Sequence, residues 1–348
     1  AVSDDPTTTP DRFEPSADLR ALPKVELHVH LEGTIDAQVA SELARGHGED
    51  PDDALRLVAG DYPRRFRDFD HFVDVFLATS RQVRTPDDLA TVAAAFVRGQ
   101  AAQNVLWTEA TLTAGTLVAN GMRPEDLWAA LRDGFAEEPD VHVGLIVDSV
   151  RELGPDNAAA TVRLVEEADA PIVGLGLTGI EGSVHESAFG VLRTAADQLG
   201  LGIVVHAGET GGPDNVRAAL DDLGADRIAH GIAAMQDPDL VTRMVADRVP
   251  TDVCPSSNVQ LGIVEDLDHH PVIDMLDAGM SVTISSDDPP FFSTTLTEEL
   301  DHVMRRSALL RRDLADLQRR AIDVSFAPEP VRRQARARID AWAATTIV

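Results

Sequence analysis

The sequence predicts an α/β fold, a (β/α)8 barrel of the TIM type with a helical insertion after its first strand. Two observations carry this reading. Eight short apolar, β-branched runs recur along the chain, each separated from the next by a longer stretch of helical pattern, the alternation that builds a parallel sheet wrapped by helices. Histidine, aspartate and glutamate gather at the ends of several runs, where a barrel assembles its active site. The 348 residues accommodate one such barrel, which takes roughly 250 residues before insertions.

Taken in order, residues 1–17 are rich in Asp, Thr, Pro and Ser and read as a loose polar tail. Residues 18–348 then read as a single barrel. The expected strands are 25–30, 105–112, 143–147, 172–177, 202–206, 227–230, 250–254 and 281–285. The first connection, 32–104, is far longer than one crossover and carries Phe69, Phe72, Val73 and Phe76 at i, i+3, i+4, i+7. That spacing predicts an inserted amphipathic helix. It either packs on the barrel or lids the catalytic mouth, since insertions after barrel strands extend that face.

The formal charge of −29 repels polyanions, so neither nucleic acid nor an anionic membrane is an expected partner. Lys24 is the sole lysine among 30 basic residues. Such a surface is either ordinary acidic solvation or an adaptation to high salt. No apolar stretch reaches a membrane span, and the first residues lack the pattern of a signal peptide. A soluble, cytoplasmic protein is expected; its oligomeric state is not legible. Cys254 is the single cysteine, which excludes an internal disulfide and a cysteine-rich zinc site.

His28-Val29-His30 ends the first expected strand. On a strand, residues i and i+2 face the same way, so both imidazoles can grip one cation. Read alone, the pair is equally two polar residues on a strand face. Four later segments add polar residues at run ends: Val204-Val205-His206-Ala207-Gly208-Glu209, Arg227-Ile228-Ala229-His230-Gly231, Asp252-Val253-Cys254-Pro255-Ser256-Ser257-Asn258 and Ile284-Ser285-Ser286-Asp287-Asp288-Pro289-Pro290. Three histidines with one carboxylate make a nitrogen- and oxygen-ligated site suited to Zn²⁺.

These segments, with Leu22-Pro23-Lys24-Val25-Glu26-Leu27-His28-Val29-His30-Leu31-Glu32-Gly33 at the front, resemble the adenosine and adenine deaminase family of the amidohydrolase superfamily. The resemblance runs to Asp287-Asp288-Pro289 and covers nearly the whole chain after the tail. It implies one catalytic zinc bound by His28, His30, His206 and Asp287. Such a zinc brings the pKa of a bound water down to about 7.

The resemblance also implies that His230 orients or deprotonates that water and helps stabilise the developing charge; an imidazole suits the task because its pKa lies near neutrality. A structural histidine that supports the metal ligands without touching the water is the plainer alternative. Glu209 is implied to protonate a ring nitrogen of the purine, which requires a carboxyl held protonated by a desolvated pocket. A solvated surface glutamate is its alternative. Asp288 would hydrogen-bond the imidazole-ring nitrogen of the purine. Adjacent strand residues point opposite ways, so Asp287 and Asp288 could both bind the zinc only if the strand bent at its end. Gly179 would offer a backbone N–H to another ring nitrogen, glycine allowing close approach, although a simple turn also explains it.

Two absences narrow the chemistry. A binuclear amidohydrolase bridged by a carboxylated lysine needs that lysine on a middle strand, and Lys24 begins the first. The other zinc deaminase pattern, H-x-E with P-C-x-x-C, needs more than one cysteine. Cys254 reads as a buried spacer.

Substrate identity turns on Glu32, which stands where mammalian-type adenosine deaminases carry an aspartate near the ribose. The segments 66–72 and 286–292 look more like bacterial branches. The continuation Pro290-Phe291-Phe292-Ser293-Thr294 departs from the version common in adenine deaminases. Arg64 and Arg67 could meet an anionic substrate tail, or be solvated surface arginines. The expected activity is zinc-dependent hydrolytic deamination of a 6-aminopurine nucleoside, adenosine placed ahead of 6-aminodeoxyfutalosine and adenine. A mononuclear zinc hydrolase of another bond, and a non-catalytic binding relative, are the competing readings. The only partners expected are the small aminopurine and water.

Overall fold

A computed structural model describes residues 16–307 and 309–345. Its strands are β1 (Lys24–His30), β2 (Val105–Leu112), β3 (His142–Val150), β4 (Ile172–Thr178), β5 (Gly202–Ala207), β6 (Arg227–His230), β7 (Pro250–Val253) and β8 (Ser281–Ile284). They form one sheet in sequence order, each neighbouring pair parallel. Closure comes just beyond β8, where Asp287 bridges Val29 of β1 in parallel. The expected barrel is the observed one.

Every expected run is a strand, with ends shifted by a few residues. The largest shift is in β3, which continues through Asp148 and Ser149 to Val150 by pairing with Gly176, Leu177 and Thr178 of β4. The polar side chains end the apolar run but leave the main-chain ladder intact, because that ladder needs only N–H and C=O groups. β7 stops one residue early, because Cys254 becomes the N-cap of the helix Pro255–Gln260, with proline at the first helical position where its missing N–H costs nothing.

The strands are buried on both faces, as β2 is at every position, the pattern of a sheet covered by helices outside and filled by side chains inside. One interior contact is ionic. Arg227 of β6 donates through Nη2 to Glu109 Oε2 of β2 at 2.5 Å and lies 2.5 Å from Asp252 Oδ2 of β7 through Nε. All three are fully buried. Since β2 and β6 stand four strands apart, this contact spans the barrel interior. Phe326 caps it, its ring 4.7 Å from the guanidinium, a cation–π arrangement.

The insertion between β1 and β2 contains helices Ala37–Gly46, Pro51–Ala54 and Phe69–Ser80 before the crossover helix Pro86–Ala102. Asp68 caps the expected amphipathic helix, accepting from the His71 N–H. The aromatic stripe packs on the segment that follows β8. Tyr62 stacks on Phe291 at 4.1 Å between centroids, and Phe72 stacks on Phe292 at 5.2 Å. These rings and their neighbours form an apolar cluster separate from the main core. Of the expected polar tail, residues 1–15 lie outside the described ones, while Ser16 caps a short helix, Ala17–Ala21. No helix among the described residues is long and apolar enough to cross a membrane.

Candidate active site

The predicted site residues meet at the C-terminal mouth of the barrel. His28 and His30 leave β1 on one face, His206 lies near the end of β5 and His230 ends β6. Glu209 follows β5, while Asp287 and Asp288 follow β8. Asp287 has a left-handed backbone, φ 64°. This bend at the strand end lets both aspartates line the same cavity.

His28, His30, His206 and Asp287 each bring one donor atom to within 4.8 Å of the others. Nε2 of His28 and of His30 lie 3.2 and 3.3 Å from Asp287 Oδ1. Nε2 of His30 also faces Nε2 of His206 at 3.2 Å. Two imidazole nitrogens can approach so closely only with a proton or a metal cation between them. Burial pulls the His30 pKa down, but the carboxylates of Asp288, Asp287 and Asp148 outweigh it and push it up to about 10. Burial holds His206 well below its usual value, so its ring is neutral and available as a ligand. Nδ1 of His28 is buried without a hydrogen-bond partner, and its Nε2 faces the Asp287 carboxylate. The donor set therefore fits a cation of the Zn²⁺ kind. Ser257 Oγ donates to Asp287 Oδ2 at 2.7 Å and fixes the carboxylate, the support that metal ligands generally have. A second grouping, His230, Cys254 and Asp287, also comes within that spacing. Burial pushes the Cys254 thiol well above its ordinary pKa, so it stays protonated and is the poorer ligand.

His230 Nε2 lies 3.6 Å from Glu209 Oε2 and 4.0 Å from Asp287 Oδ2. Burial pushes the His230 pKa down to about 3. Burial first, then the charges of Asp287, Glu181 and Asp288, hold Glu209 well above the usual carboxylate range. Glu209 is thus a largely covered carboxyl whose surroundings favour its protonated form, not a solvated surface glutamate. Its backbone is fixed by Glu181, whose carboxylate accepts the N–H groups of Gly208, Glu209 and Thr210 at 2.6, 2.8 and 2.9 Å.

A cavity of about 400 Å³ opens above this floor. Glu32 lines it, buried, with Oε1 accepting the Thr113 N–H at 3.0 Å; burial, then Asp148, push its pKa up to about 7. Asp288 Oδ1 is buried without a partner. A Cβ on Gly33 would fall 1.7 Å from that oxygen, so only glycine allows Asp288 to sit there. Gly179 lines the cavity with φ 91°, a conformation glycine adopts freely. Phe69, Phe72, Val73 and Phe76 form one wall, so the stripe both packs and faces the cavity. Arg64 and Arg67 are exposed and do not line it; Arg81 does.

Sequence reasoning assigned no role to Glu181, Asp148, Ser257 or Asn258. Asp148 could have been found as the first polar residue after the third apolar run. Glu181 carries no comparable signal, because its partners are backbone amides 27 to 29 residues away.

The family model described as adenosine deaminase matches residues 23–342. An aminodeoxyfutalosine deaminase from Streptomyces coelicolor is 36% identical over 335 residues, covering 94% of this chain and 86% of the relative. An adenine deaminase from Rhodospirillum rubrum is 35% identical, covering 93% and 97%. Among solved structures, an adenine deaminase from Arthrobacter aurescens superposes with a TM-score of 0.85 at 29% identity, covering 93% of this chain and all of that one. An amidohydrolase from Burkholderia ambifaria with bound Zn gives 0.81 at 25% identity, covering 96% of each chain. Three of these four are named for adenine or aminodeoxyfutalosine, so the findings favour the two alternatives over the adenosine that sequence reasoning put first. With the motifs, the barrel and these matches in agreement, the chain belongs to the adenosine deaminase family of the amidohydrolase superfamily and is an aminopurine deaminase.

Proposed function

We propose that the protein hydrolytically deaminates 6-aminodeoxyfutalosine, an adenine nucleoside extended by an aromatic acid, in preference to free adenine. The observation that carries this is the cavity. At about 400 Å³ it lies within the range of pockets that enclose drug-sized ligands and exceeds what a bare purine fills. Its outer wall is aromatic and aliphatic: Phe69, Phe72, Val73, Phe76, Leu117 and Leu261. Arg81 is its one basic lysine or arginine among the described residues, and it also lines the polar groove beyond Leu77. An aromatic carboxylate suits that combination. A nucleotide suits it less, since six carboxyl groups line the same cavity (Glu32, Asp148, Glu152, Glu209, Asp287 and Asp288) and a dianionic phosphate is repelled more than a single carboxylate.

In this reading His28, His30, His206 and Asp287 hold one Zn²⁺, which supplies the acidification of a water to a pKa of about 7. Water adds to the amino-bearing ring carbon and ammonia leaves. Glu209, kept protonated by its surroundings, gives its proton to a purine ring nitrogen. Asp288 and the Gly179 N–H orient the ring, and His230 orients the water. Glu32 stands between the base and the sugar. Burial of these groups strengthens each contact by excluding water.

The test is ammonia release from adenine, adenosine, deoxyadenosine, AMP and 6-aminodeoxyfutalosine at equal concentration. The highest kcat/KM is expected for 6-aminodeoxyfutalosine; a higher value for adenine would reassign the substrate, and no release from any would remove the activity.

A further inference from the structure

The mouth of the barrel leaves open which nitrogen of His230 carries its proton, and a chain of buried groups behind the ring answers it. The backbone N–H of Val272 donates to His270 Nδ1 at 3.1 Å. A backbone N–H can only donate, so His270 Nδ1 is an acceptor. Burial lowers the His270 pKa to about 4, so at neutral pH the ring has one proton, and it sits on Nε2. That nitrogen lies 3.0 Å from Asn258 Oδ1 and donates to it. The flipped amide would set two donors against each other, so the Val272 N–H also decides which way Asn258 points. The Asn258 NH2 group is then left facing His230 Nδ1 at 3.5 Å. Asn258 is held for the purpose: it is fully buried, and its own carbonyl accepts the N–H groups of Ile263 and Val264 at 2.9 and 3.0 Å.

We infer that Asn258 and His270 are positioning residues that fix the tautomer of His230, so that its neutral ring meets the reacting water as an Nε2–H donor. Only an acceptor is compatible with Asn258 at Nδ1, which places the single proton on Nε2, the nitrogen nearest Glu209 and Asp287. His230 then holds the water and stabilises charge on its oxygen, and it takes no proton at that nitrogen. The inference rests on His230 acting beside the water, as proposed above, and selects one of the two roles that sequence reasoning left open.

The experiment is ring-¹⁵N NMR of the zinc-loaded, histidine-labelled protein without substrate, His230 being assigned by the signal lost in His230→Gln. The expected result is a protonated Nε2 and an unprotonated Nδ1 on both His230 and His270. The reverse pattern on His230 overturns the inference without any further variant. His270→Met, which removes the donor, should let His230 populate its other tautomer and lower kcat on 6-aminodeoxyfutalosine by roughly tenfold with little change in KM. His270→Gln, which restores an N–H toward Asn258, should recover most of that loss. Undiminished kcat in a folded His270→Met protein also overturns it. If 6-aminodeoxyfutalosine is not turned over, the substrate assignment fails while the ring pattern is still read from the resting protein.

Discussion

The backbone N–H of Asp287 donates to the carbonyl of His28 at 3.1 Å, and the N–H of His30 returns the contact to the Asp287 carbonyl at 3.0 Å. Barrel closure and the carboxylate that faces the three histidines therefore depend on one residue, through its main chain and side chain respectively. Asp287→Ala separates the two. It keeps both main-chain bonds and removes the carboxylate, so the far-UV spectrum should be unchanged while metal retained after dialysis falls at least tenfold. Chelation should lower the Tm of the wild type, because a ligand bound only by the folded state stabilises it, and should scarcely move that of the variant. Full metal content in Asp287→Ala would remove the residue from the site.

Glu181 governs Glu209 from beneath. Its carboxylate takes three consecutive amide protons of the loop that carries Glu209, and charged acceptors of this sort make the stronger hydrogen bonds. Glu181→Gln keeps the size but turns one oxygen into a donor facing donors. The loop should loosen, and kcat should fall by roughly 10- to 100-fold, the cost typical of losing such support, with metal content unchanged. Wild-type kcat in this variant would make Glu181 a loop cap and nothing more.

Glu209 supplies a pH signature. Its folded pKa is raised, so the protonated form persists above the ordinary carboxylate range and turnover is lost as pH rises through that folded value. Glu209→Gln cannot transfer a proton. It should keep its metal, lose turnover by about 100-fold or more, and show no such alkaline limb. The measurement is kcat against pH with metal content determined in parallel; a variant that retains the limb assigns it to another group.

The barrel and its cluster of three histidines with Asp287 were legible because both are written locally. Apolar periodicity marks each strand, and His28-x-His30 declares a shared face whatever the rest of the chain does. What could not be read depends on meetings across the fold. Arg227 and Glu109 are 118 residues apart, and either alone reads as a surface charge. The aromatic stripe at Phe69 to Phe76 announced a helix, but not that Phe291 and Phe292, beyond β8, are its partners. The backbone twist at Asp287 that turns two adjacent aspartates into one cavity is likewise a tertiary effect, since an aspartate with positive φ is uncommon. Substrate ranking was out of reach for a related reason: Glu32 is one residue, while the cavity wall that bears on size comes from several distant segments.

Glu299, which does not line the cavity, provides a stability test. It is fully buried, accepting the Ser256 N–H at 3.1 Å and the Thr294 hydroxyl at 2.5 Å, and burial pushes its pKa up from 4.5 to about 7. Below pH 4.5 the carboxyl is protonated in folded and unfolded chains alike, and its contribution is intact. Between pH 4.5 and about 7 the unfolded chain releases the proton while the folded one keeps it, so stability falls as pH rises; above 7 the loss is constant. The difference in pKa corresponds to a loss on the order of 3 kcal/mol. Glu299→Gln has no proton to release, and its amide still accepts from Ser256 while donating to Thr294. Urea unfolding at pH 5 and pH 8 should show the variant gaining stability on the wild type by a few kcal/mol over that interval. Two stability profiles that run parallel would mean that Glu299 ionises in the folded protein as readily as in the unfolded chain.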